Sequence, residues 1–428
     1  AVSRCKHCTW IWSCHSFETS RYNKMVELRN RSVGGLQKEC HLVTGGGGYA
    51  GLRLGKCLFE KGHNVVLFDV RKPIDDVPEG VKFIQGDIRN LEEVLSAFEG
   101  VDCVYHMASY GMSGREQLNT KLIEEVNVHG TNNVIKACEE LGIQRLVYTS
   151  TFNVVFGGQV IENGDESLPY LQLEKHPDNY SRTKSLAEMA VLGANGRKVK
   201  SGEKLSTCAL RLAGVYGPGE QRHLPRIVTY IEQGLFSMVY GSPDSLVEFL
   251  HVDNLVQAHW RAGEALSEKH NRIAAGQAYF LSDCKPVNNF EFFRPLVEGL
   301  GYTFPKLRLP LNLVYFVAFI IEMVHFLVGR IYNFQPLLTR TEVYKTGVTH
   351  YFNNGKAKKE LGYNPSVQND MGPVVEWFKA HGHGKSAHPS LGYKTKRLVV
   401  NFILAAIFFS IVMSFLPTAS GYSQKNIH

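Results

Sequence analysis

Tyr180 and Lys184 stand four residues apart in Tyr180-Ser181-Arg182-Thr183-Lys184. On a helix, side chains at that spacing share a face. A phenol with its ordinary pKa of about 10 is a poor base at neutral pH. A nearby ammonium favours the phenolate, so Lys184 would lower that value. The pair can then exchange a proton with a carbinol or ketone oxygen while a cofactor manages the hydride. A hydroxyl partner for the reacting oxygen is expected at the end of Leu146-Val147-Tyr148-Thr149-Ser150-Thr151. Thr151, 29 residues before Tyr180, is the first choice and Ser150 the second.

A second group of residues can hold a dinucleotide. Gly45, Gly48 and Gly51 have the spacing G-x-x-G-x-x-G within Thr44-Gly45-Gly46-Gly47-Gly48-Tyr49-Ala50-Gly51. Such a turn lets the chain reverse sharply, brings backbone to a pyrophosphate and packs the next helix closely, at the positive end of that helix. Tyr49 is taken with these glycines as a cofactor contact. Asp69 ends Val66-Leu67-Phe68-Asp69, 18 residues after Gly51. A carboxylate there accepts from the ribose hydroxyls and repels a 2′-phosphate, which favours NAD over NADP, although Arg71 close by would attract that phosphate. Asp87 can reach the adenine amino group. Ala108, small, permits close approach to the cofactor, and Lys184 can hold the nicotinamide ribose. Asn127 is expected to order the site rather than touch substrate. No metal site is expected.

These residues need a scaffold. Short apolar runs, His41–Thr44, Val65–Phe68, Lys82–Ile84, Cys103–Met107, Leu146–Thr149 and Cys208–Leu212, alternate with helical patterns at Leu52–Lys61, Leu91–Phe98, Leu122–Leu141 and Ser181–Leu192. Near-continuous apolar strands alternating with helices predict an α/β fold with a parallel, doubly wound Rossmann sheet. The expected division is a leader over 1–38, a dinucleotide-binding domain over 39–216, a smaller mixed substrate lobe intertwined with it over 217–380, and a linker over 381–397.

The chain has 428 residues, 44% hydrophobic and 20% charged, with a formal net charge of +7. That is the composition of a globular protein, and the basic residues do not form the runs of a nucleic-acid binder. Nine cysteines, irregularly spaced, argue against a disulfide framework. Cys5, Cys8, Cys14 and His15 lack the second ligand pair that a zinc site requires. The leader lacks a charged segment followed by an apolar one, so it does not read as a signal peptide.

Two apolar stretches point to a membrane. Residues 398–416 are uncharged, follow Lys394, Lys396 and Arg397, and have about the length needed to span a bilayer. This predicts a C-terminal transmembrane helix with the main domain on the cytosolic side. Residues 311–329 are also apolar but contain Glu322 and His325, so a second span, an interfacial helix and a buried part of the substrate lobe are all open, with a membrane-contacting helix carrying a polar face expected.

The motifs TGGGGYAG (44–51), NVHGTNNV (127–134), LVYTST (146–151), YSRTK (180–184), ALRLAGVYGPGEQRHLPRIV (209–228), FLHVDNLVQAH (249–259) and FNNGKAKKELGYNP (352–365) resemble the extended short-chain dehydrogenases/reductases. They resemble in particular the branch of 3β-hydroxysteroid dehydrogenase/isomerases and sterol-4α-carboxylate 3-dehydrogenases. The resemblance covers about residues 38–380. It implies Tyr180 as proton acceptor, Lys184 as its cofactor-binding partner, and Thr151 in place of the usual serine. Leu212 stands where related chains often have proline. A hydrophobic steroid or sterol is the implied substrate and the endoplasmic reticulum the implied location, with a homodimer left open. Two other functions compete. A nucleotide-sugar epimerase or dehydratase would use Arg222, His223 and Arg226 for a diphosphate. A non-catalytic NAD-binding membrane regulator would not need the intact Tyr180, Lys184 and Thr151.

Overall fold

The computed structural model describes residues 38–112, 114–328 and 339–385. The expected strands form β1 (Cys40–Thr44), β2 (Asn64–Asp69), β3 (Lys82–Gln85), β4 (Cys103–His106), β5 (Arg145–Thr151) and β6 (Ser206–Leu212). A further strand, β7 (Gln277–Leu281), joins them, and the sheet runs β7-β6-β5-β4-β1-β2-β3, parallel throughout. The expected boundary at 216 is therefore not a boundary of the sheet. The chain leaves for the substrate lobe after β6 and returns to add β7 at the edge.

The strands are apolar on both faces because both are covered. In β1, Val43 packs with Leu54 and Leu58 of α1 (Tyr49–Glu60), while Leu42 faces the cluster holding Val94 and Phe98 of α2 (Leu91–Phe98) and Val134 of α3 (Thr131–Leu141). Full burial of such a side chain contributes about 1.5–3 kcal/mol. The second face also takes α4 (Asn179–Gly193) through Ala187 and Val191. The segment expected as a helix over 122–141 is helical throughout, from Thr120–Glu124 into α3. A π-helical turn, Glu125–Gly130, precedes α3, and Asn127 sits in it.

The substrate lobe is built on α5 (Leu224–Glu232), α7 (Asn289–Gly299) and α10 (Gly372–Ala380), whose apolar faces meet around Val228, Phe292, Leu296 and Phe378. Helix α6 (Val252–Ala265) instead returns to the sheet beside α1. Helix α8 (Leu311–Val328) packs Val314 and Ala318 against Val343 of α9 (Arg340–Gly347). Its other face exposes Leu313, Phe316, Val317, Phe319, Ile320 and Met323. Glu322 pairs with Arg340, accepting from its backbone N–H at 2.7 Å and its Nε at 2.6 Å. Among the described residues no helix is long and apolar enough to cross a membrane. The expected anchor at 398–416, the cysteine-containing leader and most of the linker lie outside the described residues. Cys40, Cys57, Cys103, Cys138, Cys208 and Cys284 are all free thiols.

Two histidines are fixed inside the core as neutral groups. His106 hydrogen-bonds Thr44 at 2.7 Å and Thr131 at 2.9 Å. His259 hydrogen-bonds Thr149 at 2.8 Å and the Leu255 carbonyl at 2.8 Å. Burial pulls His106 down to about 3 and His259 to about 4. The unfolded chain protonates these groups below about pH 6.5 and the folded chain does not, so their contribution is intact above that pH and erodes toward pH 4. The melting temperature is expected to fall across this window in a pH series of thermal melts, and replacing His259 by Gln should flatten the fall.

Candidate active site

The sheet topology creates a crevice. After β3 the chain crosses back to β4 on the other side of β1, so connections leave the carboxyl ends of β1 and β4 in opposite directions. Ligands of doubly wound sheets bind at such a point. Here a cavity of about 1300 Å³ opens, lined by the Gly45–Gly51 turn, Asp69, Asp87, Ala108, Thr151, Tyr180 and Lys184. Of the residues expected from the sequence, all that were assigned to cofactor or catalysis meet in this one space.

The turn is shaped for close approach. Gly45 has φ +70° and a Cβ there would lie 2.9 Å from the Ala108 nitrogen, while a Cβ on Gly51 would lie 2.2 Å from the Gly45 carbonyl oxygen. Helix α1 starts behind Gly48 with no side-chain cap and no acidic residue in its first turn, so its N–H groups are left for an anion. Asp69 closes the turn, accepting from the Gly47 N–H at 3.0 Å and the Arg71 N–H at 3.0 Å. Arg71 turns toward Glu116, 3.5 Å away. Asp87 is engaged by Arg89, which donates through Nε at 2.9 Å and Nη2 at 2.6 Å. Burial alone would raise the Asp87 carboxyl, but Arg89 outweighs it and holds it low. The Tyr49 hydroxyl lies against Gly217, where an added Cβ would come within 2.6 Å of it. These features fit a dinucleotide with a free ribose 2′-hydroxyl. Asp69→Ala is expected to weaken NAD binding by roughly tenfold or more, for loss of hydrogen bonds to a charged group, and to narrow the preference over NADP. Fluorescence titration with both dinucleotides measures this.

Helix α4 presents the proposed reacting pair. Asp178 caps it, accepting from the Ser181 N–H at 2.7 Å. Lys345 of α9 pairs with Asp178 at 2.9 Å and ties the substrate lobe to the start of the helix. Asn127 holds the neighbouring turn, donating to the Tyr110 carbonyl at 2.9 Å and to Thr183 at 3.0 Å, which is the ordering role expected for it. Tyr180 and Lys184 are buried, 6% and 2% exposed. Burial pushes the Tyr180 phenol up to about 12; the Arg222 guanidinium opposes this, Asp178 adds to it, and a hydrogen bond from Ser109 opposes it. The expectation that Lys184 is the charge acting on Tyr180 is thus not met in this geometry. Lys184 Nζ donates to the Thr149 carbonyl at 2.5 Å and lies 4.1 Å from the Tyr148 ring. Burial lowers Lys184 to about 7, against the pull of Glu188.

The two hydroxyl candidates separate. Thr151 Oγ1 accepts from the Asn153 side chain at 3.0 Å and backbone N–H at 3.3 Å, and its own proton has no acceptor among the described residues. Ser150 instead donates to the buried Glu188 carboxylate. Its proton is committed, so it is the weaker candidate for a substrate contact. Sequence reasoning missed Ser109 and the proximity of Arg222. Arg222 is presented by a loop that Glu220 fixes, accepting N–H bonds from Arg222, His223 and Leu224 at 2.7, 2.8 and 2.7 Å. The cluster QRH was visible, but its nearness to Tyr180 depends on the loop's path.

A parallel doubly wound sheet, a glycine turn at its switch point and a Tyr-x-x-x-Lys helix lining the same cavity together define an extended short-chain dehydrogenase/reductase. The profile of the 3-beta hydroxysteroid dehydrogenase/isomerase family matches residues 42–311, and the chain belongs to that family. Membership makes it an NAD-dependent dehydrogenase acting on CH–OH groups. It is similar to short-chain dehydrogenase/reductase family 42E member 1 of Homo sapiens, 63% identical over 386 residues that cover 90% of this chain and 97% of that one. It is also similar to the decarboxylating sterol-4-alpha-carboxylate 3-dehydrogenase of Mus musculus, 34% identical over 78% of this chain and 88% of that one. Among solved structures, the NAD-bound dTDP-glucose 4,6-dehydratase DesIV double mutant from Streptomyces venezuelae shares the fold, with a TM-score of 0.60 at 21% identity, covering 79% of this chain and 96% of that one.

Proposed function

We propose that this chain oxidises the 3β-hydroxyl of a sterol or steroid at a membrane, with Tyr180 as the proton acceptor. The observation that carries the reading is the continuity of the cavity. From Tyr180 and Thr151 it runs on to Leu235, Phe236, Met238, Tyr240 and Val314. That wall suits a large apolar body, with the few polar groups gathered at the reacting end. Val314 belongs to α8, whose opposite face is exposed and apolar, so one helix lines the cavity and offers a surface to lipid.

The residues divide the work. Gly45, Gly48, Gly51 and the start of α1 hold the pyrophosphate, Asp69 holds the adenosine ribose, and Lys184 holds the nicotinamide ribose. Bound NAD supplies the hydride acceptor. Thr151 donates a hydrogen bond to the carbinol oxygen and orients it, and Tyr180, as the phenolate, takes that oxygen's proton and becomes the phenol as the ketone forms. The apolar wall excludes water. The uncharged stretch 398–416 behind Lys394, Lys396 and Arg397 serves as a C-terminal anchor that holds the domain on the cytosolic face of the endoplasmic reticulum.

A nucleotide-sugar substrate finds less support. Its diphosphate needs free cations, but Arg222 faces Glu116 at 3.6 Å, Arg226 pairs with Glu342 at 3.0 Å and Lys345 with Asp178 at 2.9 Å. The test is NADH formation by detergent-solubilised full chain over a panel of 3β-hydroxysterols, 4-carboxylated 3β-hydroxysterols and nucleotide sugars. Turnover confined to the sterols supports the reading. Turnover of the sugar nucleotides alone sinks it.

A further inference from the structure

Tyr180, Lys184 and Glu188 form a stripe along one face of α4, one turn apart. Glu188 is fully buried, with 0% exposure. A carboxyl group in such a place needs strong hydrogen-bonding partners. Glu188 Oε1 accepts from Arg211 Nε at 2.9 Å, Arg211 Nη2 at 2.7 Å and the Tyr170 hydroxyl at 2.8 Å, and Oε2 accepts from Ser150. Arg211 comes from β6, directly opposite Ser150 in register. Its guanidinium lies between the rings of Tyr170 at 5.2 Å and Phe280 of β7 at 5.1 Å. One carboxylate thus reaches from the catalytic helix to β5 and, through Arg211, to β6 and β7. Its hold on β5 falls at Ser150, between Thr149, whose carbonyl receives the Lys184 ammonium, and Thr151.

We propose that Glu188 is a positioning residue for the dehydrogenation: it clamps α4 to the end of β5 through Ser150 and Arg211, and its carboxylate, one turn along the same face, favours the charged form of Lys184. This rests on the reading of Tyr180 and Lys184 as the working pair. A purely structural ion pair would explain the hydrogen bonds. It would not require the carboxylate to stand one turn from Lys184 on the same face. Burial disfavours the Lys184 charge, and Glu188 opposes that effect. The other groups around Lys184 are the Tyr148 ring and Thr149 carbonyl of β5, His106 of β4, and Tyr180 on its own helix. His106 is neutral at working pH, and none of these supplies a negative charge. Around Glu188 stand Arg211, Tyr170 and Ser150.

The protonation of Lys184 can be read without substrate or cofactor. The full chain in detergent is labelled with acetic anhydride across a pH series, and acetylation of Lys184 is followed by mass spectrometry, since only the neutral amine reacts. In Glu188→Gln the pH of half-labelling is expected to fall by about one unit, as an opposite charge one turn away on the same face is lost, while Glu188→Asp stays near the parent. If Glu188→Gln does not fold because Arg211 is left unpaired, the double variant Glu188→Gln with Arg211→Met removes both charges, and its shift is expected in the same direction. NAD binding, followed by fluorescence, reports the integrity of the cofactor site separately. An unshifted Lys184 profile in either folded variant overturns the proposal and leaves the dehydrogenase reading standing. A shifted profile in a chain that oxidises no sterol sustains the charge relation and removes only the assigned reaction.

Discussion

Tyr180→Phe is expected to lower turnover by about 10²–10⁴-fold, the usual worth of a positioned proton-transfer group. NAD binding should be unchanged within experimental error, because the phenol ring stays and the glycine turn is untouched. The proton transfer proposed for this hydroxyl is one that its surroundings make difficult. Burial pushes the phenol up to about 12, and the groups that oppose this are Arg222 and Ser109. Removing the hydroxyl leaves the ring to fill the same space in α4, so the loss should appear in kcat rather than in stability. Single-turnover kinetics with thermal melts of both proteins separate the two. A Phe variant with full activity would move the proton acceptor away from Tyr180 and contradict the assignment.

Gly51→Ala should produce the second large effect, on cofactor affinity. The added Cβ would sit 2.2 Å from the Gly45 carbonyl oxygen and 3.0 Å from the Gly46 Cα. Both neighbours are backbone, so neither can rotate away. The turn or the start of α1 must shift, at a cost of about 1–3 kcal/mol for such overpacking. That corresponds to about a 10–100-fold weaker NAD complex if the strain falls on the bound geometry. Isothermal titration of NAD into both proteins measures it. Gly193 in α4 provides a control, since a Cβ there meets nothing within 4 Å and its backbone lies outside the left-handed region.

Much of this site was legible before any coordinates. The glycine spacing and the acidic end of β2 lie at strand ends, where the topology must bring them to the switch point, and Tyr180-x-x-x-Lys184 is a local helical pattern. Six strands were legible because they are buried on both faces and read as apolar runs. What escaped depends on contacts distant in sequence. β7, Gln277–Leu281, pairs with β6 across 64 intervening residues, and nothing local says that the chain returns to the sheet. Glu188 and Arg211 read as ordinary charged positions on a helix and a strand. Only the packing of α4 over β5 and β6 makes them a buried pair and withdraws Ser150 from the site. Lys184 lines the cavity beside Tyr180, but its immediate acceptor, the Thr149 carbonyl, follows from backbone geometry that residue types do not encode. The helix over 122–141 holds a π-turn around Asn127, a local distortion of the kind found at functional sites that composition does not signal.

The central claim is that a carbinol carbon of a sterol is oxidised in the cavity between Tyr180 and the glycine turn. The most direct measurement supplies 3β-hydroxysterol carrying deuterium on the carbinol carbon to the full chain with NAD and follows the label by mass spectrometry. The account predicts deuterated NADH and the 3-ketone in equal amounts, with neither formed by Tyr180→Phe. Ketone formed without label on the dinucleotide, or no ketone from any sterol by a protein that binds NAD, would contradict it.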